Sequence, residues 1–271
     1  MTRKLGIDSQ TIFGLPPLDH IALATRLGCS HVSFGLQPVP WKLDAFPQWS
    51  LRDDRALYRQ VRDALTDQDM TLALAEGFTI KANANVRDRE EDMDLFVGLG
   101  AQRVTTVCMD HDLPRALDEL AVLTEMAAER SMEVVLEFAP PHSVNSLQSA
   151  LAAVKQVSKA NLKIVIDAMH FFRTGSKVED LAAVEPGLLA YAQLCDAPLQ
   201  PMTDDYLQEA SFERKAPGDG ELPLRDLLKA LPSDIPLGLE VPMQSKLKAG
   251  RTMDDVVGYV VQQSRTLLDG L

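Results

Sequence analysis

Short apolar runs alternate with longer segments of helical spacing from one end of the chain to the other. Runs that are apolar without in-and-out alternation read as parallel strands buried on both faces. The strand candidates are Leu5 to Asp8, His31 to Phe34, Thr71 to Ala75, Arg103 to Cys108, Glu133 to Phe138, Leu162 to Asp167, Leu189 to Leu194 and Pro236 to Val241. Helical patterns lie between and after them at Pro17 to Leu27, Asp53 to Asp69, Arg89 to Leu99, Leu113 to Ser131, Ser146 to Val157, Val178 to Val184, Pro223 to Ala230 and Met253 to Leu268. Gly28 and Gly100 follow such runs as C-terminal caps, and Asn145 and Thr252 stand where N-caps belong.

Eight βα pairs in this length predict a closed (β/α)8 TIM barrel occupying residues 1–271 as one domain. An open doubly wound sheet more often has fewer strands and a glycine-rich nucleotide turn after the first, and no G-x-G-x-x-G follows Leu5 to Asp8. Two connections are longer than a barrel needs: Gly35 to Arg52, with Trp41 and Trp49, and Asp196 to Leu222, rich in Pro, Asp and Gly. Both follow strands, and loops after strands build the active-site face of a barrel. The alternative is that each is a decorative insertion.

Composition narrows the function classes. The 271 residues are 46% hydrophobic and carry a net charge of -12, which repels a phosphate backbone and puts nonspecific nucleic-acid binding at a disadvantage. Met1 to Lys4 run straight into the first apolar segment, and no stretch approaches the roughly 18 apolar residues of a membrane span. The expectation is a cytoplasmic protein without membrane insertion. Cys29, Cys108 and Cys195 are odd in number and widely spaced, as expected of buried, reduced thiols.

The chemistry is expected where acidic residues end apolar strands. Glu137 closes Val134-Val135-Leu136, Asp167 closes Ile164-Val165-Ile166, and Glu240 closes Leu237-Gly238-Leu239. Taken singly, each is matched by an ordinary ion pair or a helix N-cap. Three converging at one barrel mouth would repel one another, and a bound divalent cation is the cheapest relief. Gln193 stands on the seventh strand at the height of a fourth ligand, giving an all-oxygen set that favours Mg²⁺ or Mn²⁺ over Zn²⁺.

Leu136-Glu137-Phe138, Asp167-Ala168-Met169-His170, Arg214 followed by Pro217-Gly218-Asp219-Gly220, and Leu239-Glu240, in this order and spacing, resemble the xylose isomerase-like barrel superfamily over nearly the whole chain. That superfamily includes sugar (phosphate) isomerases and epimerases, hydroxypyruvate isomerases, inosose dehydratases, dehydroshikimate dehydratases and the endonuclease IV type. The resemblance implies that Glu137, Asp167 and Glu240 bind one divalent metal, with Co²⁺ and Zn²⁺ as further candidates. It places Gln193 where relatives usually carry His, a departure that resembles the dehydroshikimate dehydratase branch, as does Gln193 to Pro198. It also implies that His170 touches the substrate or a metal-bound oxygen.

A metal that polarises a carbonyl, beside a carboxylate that removes the adjacent proton, gives epimerisation or isomerisation of a small polyhydroxy or keto compound, with Glu137 and Glu240 as the two proton-transfer groups. Loss of a β-hydroxyl from the same intermediate would make a dehydratase. Arg214 is a candidate clamp for a substrate oxygen, or else a surface ion pair with Glu213 or Asp219. Glu76, Lys81 and Trp41 are further substrate-contact candidates, with Trp49 as a second wall or a loop anchor. Asp110 and His111 read as solvated loop charges. A DNA-repair endonuclease would need a histidine-rich zinc cluster and a basic groove, which five histidines and the acidic balance do not supply. A non-catalytic ligand-binding barrel is the remaining alternative. Barrels of this kind often pair, leaving a homodimer as a candidate assembly.

Overall fold

The computed structural model describes residues 3–271; Met1 and Thr2, part of the short start Met1 to Lys4, lie outside the described residues. Eight parallel strands close in sequence order: β1 (Leu5–Ile7), β2 (His31–Phe34), β3 (Thr71–Ala75), β4 (Arg103–Val107), β5 (Glu133–Glu137), β6 (Leu162–Asp167), β7 (Leu189–Leu194) and β8 (Leu237–Leu239). Gly6 pairs with His31 on one side and with Gly238 on the other, which shuts the ring.

Among the described residues ten α-helices follow the strands: α1 (Pro17–Arg26), α2 (Arg55–Asp67), α3 (Glu90–Gly98), α4 (Leu113–Ala128), α5 (Leu147–Val157), α6 (Ala168–Arg173), α7 (Tyr206–Phe212), α8 (Leu224–Ala230), α9 (Gln244–Lys248) and α10 (Met253–Asp269). Their apolar faces pack on the outward side chains of the strands, so Leu5, Ile7, Val32, Leu136, Ile166 and Leu237 share one core with Leu120, Val154 and Val260.

The helix expected at Val178 to Val184 is instead a 3-10 helix, Val178–Ala183, and the helix that directly follows β6 is α6. Its N-cap is Asp167 itself, whose carboxylate accepts from the His170 backbone N–H at 2.8 Å. The N-cap of α5 is Ser146 rather than Asn145, because Ser146 and Ser149 exchange reciprocal hydrogen bonds in a capping box. Thr252 caps α10 in the same way with Asp255. Gly28 and Gly100 take φ of +64° and +80° just past their helices, a region where a side chain is strained.

Inside the ring, side chains two residues apart on a strand share a face. Val135 lies below Glu137, Val165 below Asp167, and Tyr191 below Gln193, and Val135, Val165 and Tyr191 form a small apolar cluster separate from the outer core. Gly238, on β8, is where a Cβ would collide with the Tyr191 hydroxyl and the Asp8 carboxylate. The glycine therefore makes room for a buried polar pair in the barrel centre. Cys29, Cys108 and Cys195 are all buried and free. No described helix is long and apolar enough to cross a membrane.

Candidate active site

The alternation that buries Val135, Val165 and Tyr191 lifts Glu137, Asp167 and Gln193 to the carboxyl end of the barrel, where Glu240 joins them one residue past β8. All four sequence-predicted ligand positions thus reach one mouth. Asp167 and Gln193 are register partners, and the Gln193 amide donates from Nε2 to Glu240 Oε1 at 3.0 Å. Gln193 Oε1 is buried with no hydrogen-bond partner.

Arg214 arrives from the long loop after β7, and its side chain is only 1% exposed. Nη1 donates to Asp167 Oδ2 at 2.6 Å, and Nη2 lies 3.0 Å from Glu240 Oε2. Nε donates to the Ala210 carbonyl at 2.7 Å. The surface pairing with Glu213 or Asp219 does not occur. Glu213 instead accepts from Ser245, and Asp219 from the Tyr259 hydroxyl. Nor does Arg214 stand free to clamp a substrate oxygen, because both of its terminal nitrogens face carboxylates of the site.

His170, on α6, turns back into the same group. Its Nε2 is 3.1 Å from Glu137 Oε1, and its Nδ1 bonds the Tyr206 hydroxyl of α7. Among the described residues no three His, Cys, Asp or Glu side chains stand in an arrangement that could hold a metal ion. A divalent cation was expected as the cheapest relief of the carboxylate repulsion; in this arrangement a guanidinium lies against Asp167 and Glu240, and an imidazole against Glu137.

The electrostatics follow from burial and these partners. Burial would raise Asp167, but Arg214, then His170, outweigh it and hold the carboxyl below its ordinary range. Burial pushes Glu240 well up; Arg214 opposes this, while Glu137 and Asp167 add to it.

A second acidic pair lies across the mouth. Asp8, fully buried just past β1, accepts from the Tyr191 hydroxyl at 2.8 Å and the Ser33 hydroxyl at 2.9 Å. Burial first, and then Glu76, push it up to about 7. Glu76 accepts from Ser9 at 2.5 Å, and burial raises it too. Its Oε1 lies 2.8 Å from the same Ser33 hydroxyl, whose one proton goes to only one of the two carboxylates at a time. Asp8 was missed in the sequence although it satisfies the rule that found Glu137: a carboxylate ending an apolar strand. Tyr206 carried no comparable signal, since its place depends on how the long loop folds back.

Beside this pair opens a cavity of about 310 Å³ lined by Ser9, Glu76, Trp41, Trp49 and Lys81. Trp41 meets Phe212 edge-on with ring centres 6.1 Å apart, while Trp49 anchors its loop by donating to the Gly14 carbonyl at 3.1 Å. Lys81 is exposed at the rim. Asp110 is not a solvated loop charge: it is buried and paired with Arg115, whereas His111 is exposed.

The model of the xylose isomerase-like TIM barrel family matches residues 21–256. The chain belongs to this family. Among its curated relatives, inosose isomerase of Bacillus subtilis (strain 168) is 28% identical over 121 residues, 43% of this chain and 41% of the relative. The alignment thus spans about two fifths of that relative's length. Solved structures of the same fold include the IolI protein with a bound zinc atom, with a TM-score of 0.81 and 18% identity over 98% of both chains. They also include the probable 3-DHS dehydratase AsbF of Bacillus anthracis, with a TM-score of 0.75 and 14% identity over 96% of this chain and 97% of that one. This xylose isomerase-like barrel shares its fold with both; at such identities the likeness establishes the fold alone.

Proposed function

We propose that this protein is a divalent-metal-dependent isomerase or epimerase of a small polyhydroxy or keto compound. The observation that carries the reading is the convergence of Glu137 and Glu240 on one barrel mouth, from β5 and from the end of β8, with Asp167 and Gln193 between them. Two carboxylates so disposed can remove a proton from one carbon and return it to the same carbon or its neighbour.

The donor chemistry of these side chains suits a hard cation, which would have to draw Asp167 and Glu240 away from Arg214 before they could close on it. Glu137, Asp167, Glu240 and Gln193 offer only oxygen, and Gln193 Oε1 is a buried acceptor without a donor. Carboxylate oxygens have lone pairs to spare beyond the bonds described. Such an ion, when bound, would polarise a carbonyl and acidify the neighbouring C–H. The zinc atom of the IolI structure and the inosose isomerase of Bacillus subtilis support both parts of the reading. Mn²⁺ or Mg²⁺ is the expected occupant from the all-oxygen set.

Within the chain, Arg214 orients Asp167 and Glu240, and His170 orients Glu137. The cavity beside Glu76, walled by Trp41, has the volume for a sugar-sized ligand, although Glu137, Asp167, Gln193 and Glu240 do not line it. A dehydratase acting on an acid is the second reading, favoured by Gln193 and by the likeness to AsbF. Asp196, part of the Gln193 to Pro198 stretch behind that reading, is spent on loop structure, accepting from the Ala197, Gly218 and Leu222 amides. Glu76 in the cavity wall disfavours a carboxylate, and Arg52 and Arg89, which line the same cavity, both pair with Asp92. A neutral substrate is accordingly preferred.

The test is elemental analysis of protein purified without chelator, with melting scans in EDTA and then in Mn²⁺ or Mg²⁺, followed by a screen of keto sugars and inososes for solvent-deuterium incorporation. Near-stoichiometric metal, a melting rise on reloading and deuterium at a carbon next to a carbonyl are expected. No metal, no melting response and no exchange would move the protein to a ligand-binding barrel.

A further inference from the structure

Helices α6 and α7 face each other through two rungs. Arg173 donates to the buried Glu209 carboxylate at 2.8 Å, and three residues earlier on each helix His170 Nδ1 meets the Tyr206 hydroxyl. The first rung fixes the position of α7, so the phenol is delivered to the imidazole by a buried ion pair rather than by a loose loop.

The other side of the ring faces Glu137, with Nε2 3.1 Å from Oε1. An ionised carboxylate only accepts, so this contact is favourable only when Nε2 carries the proton. Nδ1 has two neighbours of opposite demand. Asp167 Oδ1, 3.5 Å away, would draw a proton onto Nδ1, whereas the Tyr206 hydroxyl can donate to it. Asp167 Oδ1 already accepts from the His170 backbone at 2.8 Å.

We propose that Tyr206 is a positioning residue: its hydroxyl donates to His170 Nδ1, holds the ring in the Nε2–H tautomer, and so aims that N–H at Glu137 Oε1. Glu137 is thereby held by one oxygen, and Oε2 is left as the oxygen that takes a proton. This last consequence rests on the isomerase reading above; the tautomer does not.

The test is nitrogen-15 NMR of histidine-labelled, metal-free protein in mildly alkaline solution, with His170→Gln used to assign the resonance. In the wild type His170 is expected to show a proton on Nε2 and a bare, hydrogen-bonded Nδ1. In Tyr206→Phe, which keeps the ring and its packing, that signature is expected to be lost to a tautomer mixture. A wild-type proton on Nδ1, a doubly protonated wild-type ring, or an unchanged His170 pattern in Tyr206→Phe would each overturn the proposal. None of these outcomes depends on a substrate or a metal, so failure here leaves the isomerase reading standing, and failure of that reading leaves the tautomer standing.

Discussion

Arg214 Nη1 donates to Asp167 Oδ2 at 2.6 Å in a pair whose side chains are 1% and 0% exposed. Removing one member of a buried pair leaves the other charge unpaired in a medium that solvates it poorly. Arg214→Met is expected to cost about 3–5 kcal/mol of stability. Urea unfolding of metal-free protein measures it, and added Mn²⁺ should recover part of the loss by supplying the missing positive charge. A loss below about 1 kcal/mol, the scale of exposed pairs, would mean that the pair does not organise the site.

Glu137→Gln and Glu240→Gln keep the shape of each side chain and remove its basicity. Each should lower turnover of the identified substrate by about 10²-fold or more, the usual worth of a positioned acid or base. Asp167→Asn should in addition weaken metal retention, read by dialysis and elemental analysis. Full activity in either glutamine variant would exclude that residue from proton transfer.

Gln193→His replaces an oxygen donor with a nitrogen donor at the β7 position. Competition between Mn²⁺ and Zn²⁺, followed by the metal content of the protein, is expected to shift toward zinc. An unchanged preference would show that Gln193 is not a ligand.

Asp8 sets a pH dependence of stability. Its folded-state value is raised from 3.8 to about 7, so between those values the unfolded chain has released a proton that the folded chain still holds. Stability of the metal-free protein is therefore expected to fall as pH rises from about 4 to about 7 and to level off above. Asp8→Asn should flatten that slope and leave the Tyr191 and Ser33 hydroxyls an acceptor. Melting temperatures across this range in EDTA measure the difference, and parallel curves for the two proteins would assign the slope to other groups.

Gly238→Ala is expected to destabilise the barrel by about 1–3 kcal/mol or more, because the added methyl meets the Tyr191 hydroxyl and the Asp8 carboxylate deep in the ring. Chemical unfolding checks this. A neutral effect would mean that the interior of the barrel is free to repack.

The barrel was legible because the eight strands are short, mainly apolar runs that alternate with helical spacing, a pattern that burial imposes locally and repeatedly. The strand ends at His31, Phe34, Asp167 and Leu194 agree with the expected ones. The helical pattern of Val178 to Val184 folds as a 3-10 helix, and α6 was hidden because Ala168–Arg173 is short and buried nearly all round, with no polar face to mark its period. Likewise Glu137, Asp167, Gln193 and Glu240 stood out as polar residues ending apolar strands, and Asp8 could have been found by the same rule.

The sequence by itself determined which residues reach the mouth, because a two-residue period along each strand and a strand order that follows the chain leave them nowhere else to go. What those residues touch there was decided only by tertiary structure. Arg214 lies 47 residues from Asp167, and Tyr206 lies 36 residues from His170. Whether such groups turn outward to solvent or inward to a carboxylate depends on how the loop after β7 folds over the ring. That outcome is a balance of desolvation against pairing among groups brought together from distant segments, and no local pattern of hydrophobic and polar residues encodes it.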